Sequence, residues 1–246
     1  MPPFTILQDD IFLVSYPKSG NTWMRFLLSS LHFGKKVDWS SVNTTIPSIH
    51  NVSNQGLLNF PSPRILKSHQ NYNKGYKKVI YLVRDVRDVV ISYYYYHLHL
   101  SGKNIGVNNF DSFLDKFLLG KVYAGLWDVH VQNWLDNKDK IENGFLLLKY
   151  EDLINDIDQE VERILMFLHL SRTKKEIKET INWASFENMQ NLERRKQKKP
   201  TNIDDSIPFV RKGQVNQWKT FLTDEQQNKM NNKFGAVLNR LGYDVM

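Results

Sequence analysis

The sequence contains no cysteine, which excludes disulfide bonds and thiolate metal ligands. It also has no long hydrophobic run near its beginning, since Asp9 and Asp10 precede only a short apolar stretch, Ile11–Val14. A signal peptide needs about 7–15 apolar residues and a membrane-spanning helix about 20. The sequence therefore predicts a soluble protein without a membrane partner, and the missing cysteines lead us to expect a reducing, cytoplasmic location.

Acidic residues are too few to balance the basic ones, because 33 Lys and Arg stand against 26 Asp and Glu, for a formal net charge of +7. Such an excess favours an anionic ligand or surface, although a lysine-rich, solvated exterior has the same composition. With 41% hydrophobic residues in 246 positions, the chain is long enough to bury one complete core. We therefore predict a single domain over residues 1–246.

Short apolar runs in this sequence lack the alternation of a half-exposed strand, so they predict buried parallel strands. These runs are Ile11–Ser15, Arg64–Lys67, Lys78–Val83 and Phe145–Lys149. Helical periodicity occurs between and after them at 21–33, 86–99, 110–119, 122–137, 156–170, 172–183 and 223–241. This order predicts an α/β fold, with helices flanking a central parallel sheet and ligands at the carboxyl ends of the strands. The segments 34–63 and 188–217 are predicted to be irregular.

The stretch VSYPKSGNTWMRFLL, from Val14 to Leu28, changes from a strand pattern to a helical pattern across a small polar loop. A strand, a loop with Lys18 and Gly20, and a helix form a cradle for phosphate, because free N–H groups and the positive end of the helix dipole converge on the anion. The loop is not the nucleotide-triphosphate motif G-x-x-x-x-G-K-S/T, since Gly20 follows Lys18. It therefore predicts an anion-binding site without specifying the phosphate.

Polar residues also follow the second predicted strand, in RILKSHQNY. Lys67 and His69 are two positions apart, so an extended backbone places both side chains on one side. An isolated histidine is more often structural than catalytic, and this pattern alone favours the structural interpretation.

The third and fourth predicted strands also end in charged residues. In YLVRDVRDVVISYYYYHL, Arg84 leaves the strand and Ser92 lies on the following helix. An arginine in this position can bind phosphate with its planar guanidinium, but it can equally pair with Asp88 at helical spacing. In LLLKYEDL, we interpret Asp152 as the cap of the next helix.

Together these segments resemble the cytosolic-type sulfotransferase family, from about Phe12 to Thr223. YPKSGNTW is similar to the family's 5′-phosphosulfate loop, RDVRDVVIS to its 3′-phosphate segment and FVRKGQVNQWKTFLT to its C-terminal glycine motif, with KSH and YEDL between them in the family's order. The resemblance implies a P-loop-like strand–loop–helix that binds 3′-phosphoadenosine 5′-phosphosulfate (PAPS) and leaves 3′,5′-adenosine bisphosphate (PAP) as product. It also implies sulfuryl transfer to a hydroxyl or amine of a small molecule, without a metal.

The resemblance also implies roles for particular residues. His69 matches the general base, Lys18 the lysine at the bridging oxygen of the donor, and Lys67 a second catalytic lysine. The matched cofactor-binding positions are Lys18, Ser19, Gly20, Asn21 and Thr22 at the 5′ groups, Trp23, Tyr150 and Phe186 at adenine, and Arg84, Ser92, Arg211, Lys212 and Gly213 at the 3′-phosphate.

The sequence departs from the family pattern at several positions. Ala184 replaces a threonine near the adenine base, and Asn216-Gln217 replaces the usual Gly-Asp of the closing loop. The family's dimer motif is retained only at Lys219 and Thr223. We therefore predict a monomer or a different dimer.

The acceptor is expected to lie against the segments 34–63 and 97–110, and 188–217 is expected to act as a lid over cofactor and acceptor. The Tyr, Trp, Phe and Leu residues in these segments permit an apolar or aromatic alcohol. His97 and His99 are not predicted to bind a metal, because residues two apart on a helix point in different directions.

Two other classes of protein remain open at this point. A P-loop nucleotide kinase or NTPase would use Lys18 on a phosphate and Asp85 as a metal-holding carboxylate, although the loop lacks G-K-S/T. A basic module for nucleic acid or sulfated glycan would use the run Arg194–Lys199. That run is equally typical of a solvated lid, and we expect no nucleic-acid partner.

Overall fold

The computed structural model describes residues 4–101, 109–195 and 207–245. Its sheet contains the strands β1 (Ile11–Ser15), β2 (Ile65–Ser68), β3 (Lys78–Val83) and β4 (Phe145–Lys149). They are parallel and lie in the order β2-β1-β3-β4. The predicted strands are confirmed, with β2 shifted by one residue. Because β1 lies between β2 and β3, the loop that follows it is close to the carboxyl ends of both neighbours.

Helices connect these strands. Between β1 and β2 lie α1 (Asn21–Phe33), α2 (Val42–Thr45) and α3 (Asn54–Leu58). Between β3 and β4 lie α4 (Val86–Ser101), α5 (Phe110–Leu118), α6 (Trp127–Asp136) and a 3-10 turn at Lys138–Lys140. After β4 come α7 (Tyr150–Asn155), α8 (Ile157–Leu168), α9 (Lys174–Trp183), α10 (Phe186–Arg194), α11 (Trp218–Phe221) and α12 (Asp224–Arg240).

Both faces of the sheet are buried, which explains why its strands are apolar without alternation. Phe12 and Val14 of β1 pack into one core cluster with buried residues of α4, α6 and α12. Leu13 points to the opposite face and packs into a second cluster with α1 and α8. The two clusters hold the sheet between helical layers, so the strand ends are fixed positions for side chains at the site.

The segments predicted to be irregular contain helices. Both α2 and α3 lie within 34–63, and α10 begins just before 188–217. The sequence pattern did not predict α10, because polar residues dominate it and Met189 is its buried residue. The helix starts at Ser185, whose hydroxyl accepts a hydrogen bond from the Asn188 N–H.

Two further predictions are wrong. α6 begins at Trp127 rather than at 122, because Ala124 and Gly125 have φ angles of 77° and 69°, which a right-handed helix does not contain. Asp152 lies in the first turn of α7, and the cap of α8 is Asp156, which accepts a hydrogen bond from a backbone N–H in the first turn of α8.

Parts of the predicted acceptor loop and lid, 102–108 and 196–206, lie outside the described residues. The roles assigned to the segments 34–63, 97–110 and 188–217 stay predictions. In the described ranges, none of the helices combines the length and the apolar character that crossing a bilayer requires.

Candidate active site

The loop between β1 and α1 has an unusual backbone conformation. Lys18 and Gly20 have φ angles of 70° and 98°, and Gly20 is the N-cap of α1, without a side-chain cap hydrogen bond. The first turn of α1 has no acidic residue. Gly20, Asn21 and Thr22 line a cavity, so the positive end of α1 lies at that cavity without a local carboxylate to neutralise it.

Gly20 is also required for close packing. A Cβ atom at this position would lie 2.6 Å from Cδ2 of Tyr150, which is buried at the start of α7. The ring of Trp23 in turn meets the ring of Tyr150 at a centroid distance of 5.4 Å and an interplanar angle of 72°. Two of the residues implied to contact adenine are therefore in contact with each other.

Ser19 and Asn21 bury polar atoms in this loop. Ser19 is 0% exposed, and its hydroxyl has no hydrogen-bond partner in the described part of the chain. Nδ2 of Asn21 donates to Oγ of Ser15 at 3.1 Å, whereas its Oδ1 lacks a partner in the same ranges. An unpartnered buried hydroxyl is costly, and a phosphate or sulfate oxygen would satisfy it. The Ser19 hydroxyl therefore fits an anionic ligand, whereas Oδ1 of Asn21 only accepts hydrogen bonds and needs a donor.

Lys18 and Lys67 bring two amines to the same cavity. Nζ of Lys18 lies 3.9 Å from the ring centroid of Tyr96 and 4.3 Å from that of Phe209, so aromatic faces contact the ammonium. Burial, followed by the charges of Arg84 and Lys67, lowers the pKa of Lys18 to about 7. Burial also lowers the pKa of Lys67 to about 8. An anion that binds beside these two amines would favour their protonated forms, because it supplies the opposite charge.

The ring of His69 is held in one tautomer by β1. Its Nδ1 lies 2.7 Å from the carbonyl oxygen of Ser15. Because a carbonyl oxygen only accepts, Nδ1 carries the proton and Nε2 of the neutral ring keeps a free lone pair. Burial, followed by the charge of Lys67, holds the pKa of His69 well below its usual value. The ring is neutral at pH 7, and this geometry favours the base over the purely structural interpretation.

The structure contains the pair between Arg84 and Asp88 that the sequence also allowed. Nη2 of Arg84 lies 3.6 Å from Oδ2 of Asp88 and donates to the carbonyl oxygen of Gln214 at 2.8 Å. Its guanidinium carbon lies 4.2 Å from the ring centroid of Tyr150. Nε is buried and has no partner among the residues described. Arg84 therefore pairs with Asp88 and still offers a donor to an anion.

The turn at Gly213 forms another wall of the cavity. Gly213 has a φ angle of 61°, and a Cβ atom there would lie 2.3 Å from Cδ2 of Phe186. Glycine is thus needed for the backbone to approach the ring. Nη2 of Arg211 donates to Oε1 of Gln217 at 2.6 Å, so the glutamine that replaces the family's aspartate fixes the guanidinium.

These side chains surround one cavity with a volume of about 590 Å³. The residues implied to form the site all line it except Ser19, which is buried. No aspartate or glutamate lines it among the described residues. The site thus combines an excess of cations with a neutral histidine.

Sequence reasoning missed several residues of the lining. Segment 34–63 contributes Ser48, His50 and Asn51, whereas the described residues of 97–110 contribute none. Other unassigned lining residues are Tyr93, Tyr96 and Tyr123. For Tyr93 and Tyr96 the run YYYY was the available signal, because consecutive residues on a helix point in different directions and some must point toward the strand ends.

Residues needed by the alternative classes have other partners. Asp85 accepts a hydrogen bond from Nη2 of Arg87 at 2.7 Å. Nδ1 of His99 donates to the carbonyl oxygen of Ile207 at 2.6 Å, and the described ranges contain no group of three or more side chains suited to a metal. The basic run Arg194–Lys199 lies outside the described residues after its first two positions.

Fold and site together define an α/β protein with a strand–loop–helix site for an anionic ligand. The family model of the sulfotransferase domain matches residues 8–242. The amine sulfotransferase of Oryctolagus cuniculus is 30% identical over 250 residues, which cover 94% of this chain and 81% of that protein. Sulfotransferase 1A1 of Rattus norvegicus is 30% identical over 254 residues, covering 96% and 86%. The chain therefore belongs to the sulfotransferase family.

Solved structures show the same fold. Mouse sulfotransferase SULT7A1, complexed with PAP, superposes with a TM-score of 0.74 at 23% identity, covering 97% of this chain and 90% of that one. A retinol dehydratase in complex with androsterone and PAP gives 0.78 at 20% identity, covering 99% and 84%. The predicted fold and the resemblance to PAPS-dependent sulfotransferases are confirmed. The kinase and binding-module alternatives gain no support, and the individual site residues stay predictions.

Proposed function

We propose that this sulfotransferase transfers the sulfuryl group of PAPS to a hydroxyl of a small molecule, with His69 as general base and without a metal. One observation carries the proposal. His69, whose Nδ1 lies 2.7 Å from the Ser15 carbonyl oxygen, lines the same cavity as Lys18, Arg84 and Arg211, and no carboxylate among the described residues lines that cavity. An anionic donor and a neutral acceptor can therefore meet in one place.

The donor end of the cavity, which we define by Lys18, Arg84 and Arg211, is assigned to PAPS. When bound there, PAPS supplies the sulfuryl group and an adenosine phosphate as leaving group. The N–H groups at the start of α1 and the Ser19 hydroxyl would hold the 5′ groups, and Arg84 Nε with the Arg211 turn would hold the 3′-phosphate. Trp23 and Phe186 would enclose the adenine.

Proton and charge transfer follow from the tautomer of His69 and the position of Lys18. His69 Nε2 would take the proton of the acceptor hydroxyl as its oxygen forms the new bond to sulfur. Lys18, in its protonated form, would stabilise the negative charge that grows on the bridging oxygen as the old bond to sulfur breaks. Lys67 lies in the same cavity and would add positive charge beside the transferred group.

Aromatic residues at the other end of the cavity support a phenol or an apolar alcohol as acceptor. Tyr123 beside His50, and Tyr93, whose hydroxyl donates to the Tyr123 carbonyl oxygen, line this end, and Tyr96 and Phe209 lie next to Lys18. A relative of this chain is named an amine sulfotransferase, but a protonated amine would find no carboxylate among the described lining residues. We therefore include neutral amines only. The cytoplasmic location belongs to this proposal too, and the cytosolic-type motifs of the sequence support it.

A product assay tests the proposal. The protein is mixed with PAPS, EDTA and, separately, a phenol, a primary alcohol and an amine, and PAP is quantified. We expect PAP formation with the phenol or the alcohol at a rate that EDTA does not change, and a rate at least about 10²-fold lower with His69→Ala. No PAP with any of the three acceptors, or a rate that requires added magnesium, would contradict the proposal.

A further inference from the structure

A second histidine, His50, lies beside the predicted base. The segment that carries it runs next to β2 and pairs with Lys67, whose N–H donates to the Pro47 carbonyl oxygen at 2.8 Å. The Ile49 N–H donates to the Lys67 carbonyl oxygen at 3.1 Å. One step further on, the N–H of His69 donates to Nε2 of His50 at 3.1 Å. The rings of the two histidines are nearly parallel, 18° apart in plane, with centroids 6.2 Å apart.

The segment is fixed from its other side by Arg25 of α1. Nε of Arg25 donates to the carbonyl oxygen of Ile46 at 3.0 Å, and its Nη2 donates to that of Val42 at 3.0 Å. Arg25 is only 4% exposed. The backbone before His50 is therefore held by a buried guanidinium and by strand-like pairing, which gives the His50 ring a defined position in the cavity.

The hydrogen bonds place the proton on Nδ1 in both rings, but they engage Nδ1 in His69 and Nε2 in His50. Nε2 of His50 accepts a backbone N–H, so in the neutral ring the proton is on Nδ1. Burial, followed by the charge of Lys67, lowers the pKa of His50 to about 4, so the ring is neutral at pH 7. The hydroxyl of Tyr123 lies 3.4 Å from its Nδ1, which is long for a hydrogen bond. His69 thus offers a proton acceptor to the cavity, whereas His50 offers a donor.

We propose that His50 determines acceptor specificity by donating its Nδ1–H to a lone-pair-bearing oxygen substituent on the acceptor, close to the hydroxyl that His69 deprotonates. This inference rests on the proposed function. The side chains of His50, Asn51 and Tyr123 all line the cavity near this point, and no carboxylate of the described chain lines it. An ether, carbonyl or second hydroxyl complements such a wall, because an ammonium would meet only donors and neutral groups.

If His50 only held the backbone of His69, a different result would be expected. Loss of that support would change the position of the base for every acceptor alike. Loss of a donor to the substrate would weaken only those acceptors that carry the oxygen substituent. The ratio between matched acceptors within one variant therefore separates specificity from support.

Methoxyphenols and ethylphenols form the matched pair, since the ether oxygen replaces a methylene group of similar size. Their dissociation constants are measured by titration calorimetry for the ortho, meta and para isomers, on protein saturated with PAP, so that no turnover is needed. We expect at least one methoxyphenol to bind about three- to tenfold more tightly than its ethyl counterpart. His50→Phe should abolish the preference, and His50→Gln, which can still accept and donate, should retain part of it.

The control is His97→Phe, the same change at a histidine outside the cavity lining, and it should leave the preference unchanged. Equal binding of both members of every pair by the unaltered protein, no binding of any of the six phenols, or a preference that survives in His50→Phe would overturn the proposal. PAPS turnover by the unaltered protein is assayed in parallel. Absence of turnover would count against the proposed function, whereas the methoxy preference decides the role of His50.

Discussion

The two ends of the cavity differ in how the chain builds them. At the donor end, Lys18 and Arg84 follow neighbouring strands, and Nη2 of Arg84 donates to the carbonyl oxygen of Gln214 in the C-terminal segment. The acceptor end, which we define by His50, His69 and Tyr123, depends on contacts such as Tyr123–His50, which join residues 73 positions apart. Strand order and local backbone conformation thus position Lys18 and Arg84, whereas the Arg211 turn and the acceptor end depend on packing between distant segments.

The largest expected effect is at the acceptor end. His69→Ala should lower the turnover rate by about 10²–10⁴-fold, because it removes the group that takes the acceptor proton. PAP affinity, measured by calorimetry, should stay within a few-fold of that of the unaltered protein, since the base does not contact the nucleotide. His97→Ala is the control. A normal rate in His69→Ala, with normal PAP binding, would make His69 a structural residue.

A slightly smaller effect is expected from the donor end. Lys18→Ala should reduce the rate at saturating PAPS by about 10²–10³-fold, by analogy with other groups that stabilise a developing negative charge. Lys36→Ala, at an exposed lysine paired with Glu179, is the matched control and should leave the rate unchanged. An effect confined to the apparent affinity for PAPS would show that Lys18 only anchors the donor.

Two glycine variants sharpen the account of the donor end. Gly213→Ala should weaken PAP binding by about tenfold, because its Cβ would lie 2.3 Å from the Phe186 ring. Gly34→Ala is a matched control, since Gly34 has a similar φ of 62° but no atom within 4 Å of its added Cβ. Both changes should cost roughly 1–2 kcal/mol of folding stability from the backbone conformation alone. Equal PAP affinities in the two variants would contradict the predicted contact of Phe186 with the cofactor.

The smallest expected effect is the uptake of a fraction of a proton when PAP binds. Lys18 has a pKa of about 7 in the free protein, and a bound anion should raise it because an opposite charge favours the ammonium. Above pH 7 the free amine is mostly neutral, so PAP binding at pH 8 should take up protons, whereas at pH 6 the uptake should vanish. Calorimetry in two buffers of different ionisation enthalpy measures this. Lys18→Met should reduce the uptake, and the same uptake without Lys18 would contradict the assignment.

Much of the donor end was predictable from sequence because its determinants are local. Buried parallel strands require continuous apolar runs, and these runs located the strand ends from which Lys18, Lys67 and Arg84 project. The left-handed conformation at Gly20 was not predicted, because an N-cap residue usually has an extended backbone. Asn216 shows the limit, since it has a φ of 58° where the family has glycine and asparagine tolerates that conformation.

Apart from His69, the acceptor end was not predictable, because no local pattern specifies it. His50 lies in a segment without helical or strand periodicity, and its contact with His69 depends on the anchoring of that segment by Arg25. Tyr123 lies in a loop that the periodicity assigned to a helix, and the positive φ of Ala124 excluded that helix. Side-chain partners of this kind are set by tertiary packing, which composition and spacing do not encode.

The central claim is that the donor end recognises a 3′-phosphate, and a thermal-shift titration with PAP and ADP at fixed ionic strength tests it most directly. Both ligands carry two phosphates, so attraction to a basic surface alone does not distinguish them. Charge-assisted hydrogen bonds contribute about 1.5–3 kcal/mol each, so PAP should bind at least about tenfold more tightly and raise the Tm more. Arg84→Ala should lose this preference, and Lys18→Ala should keep most of it. Equal stabilisation by PAP and ADP would contradict the account.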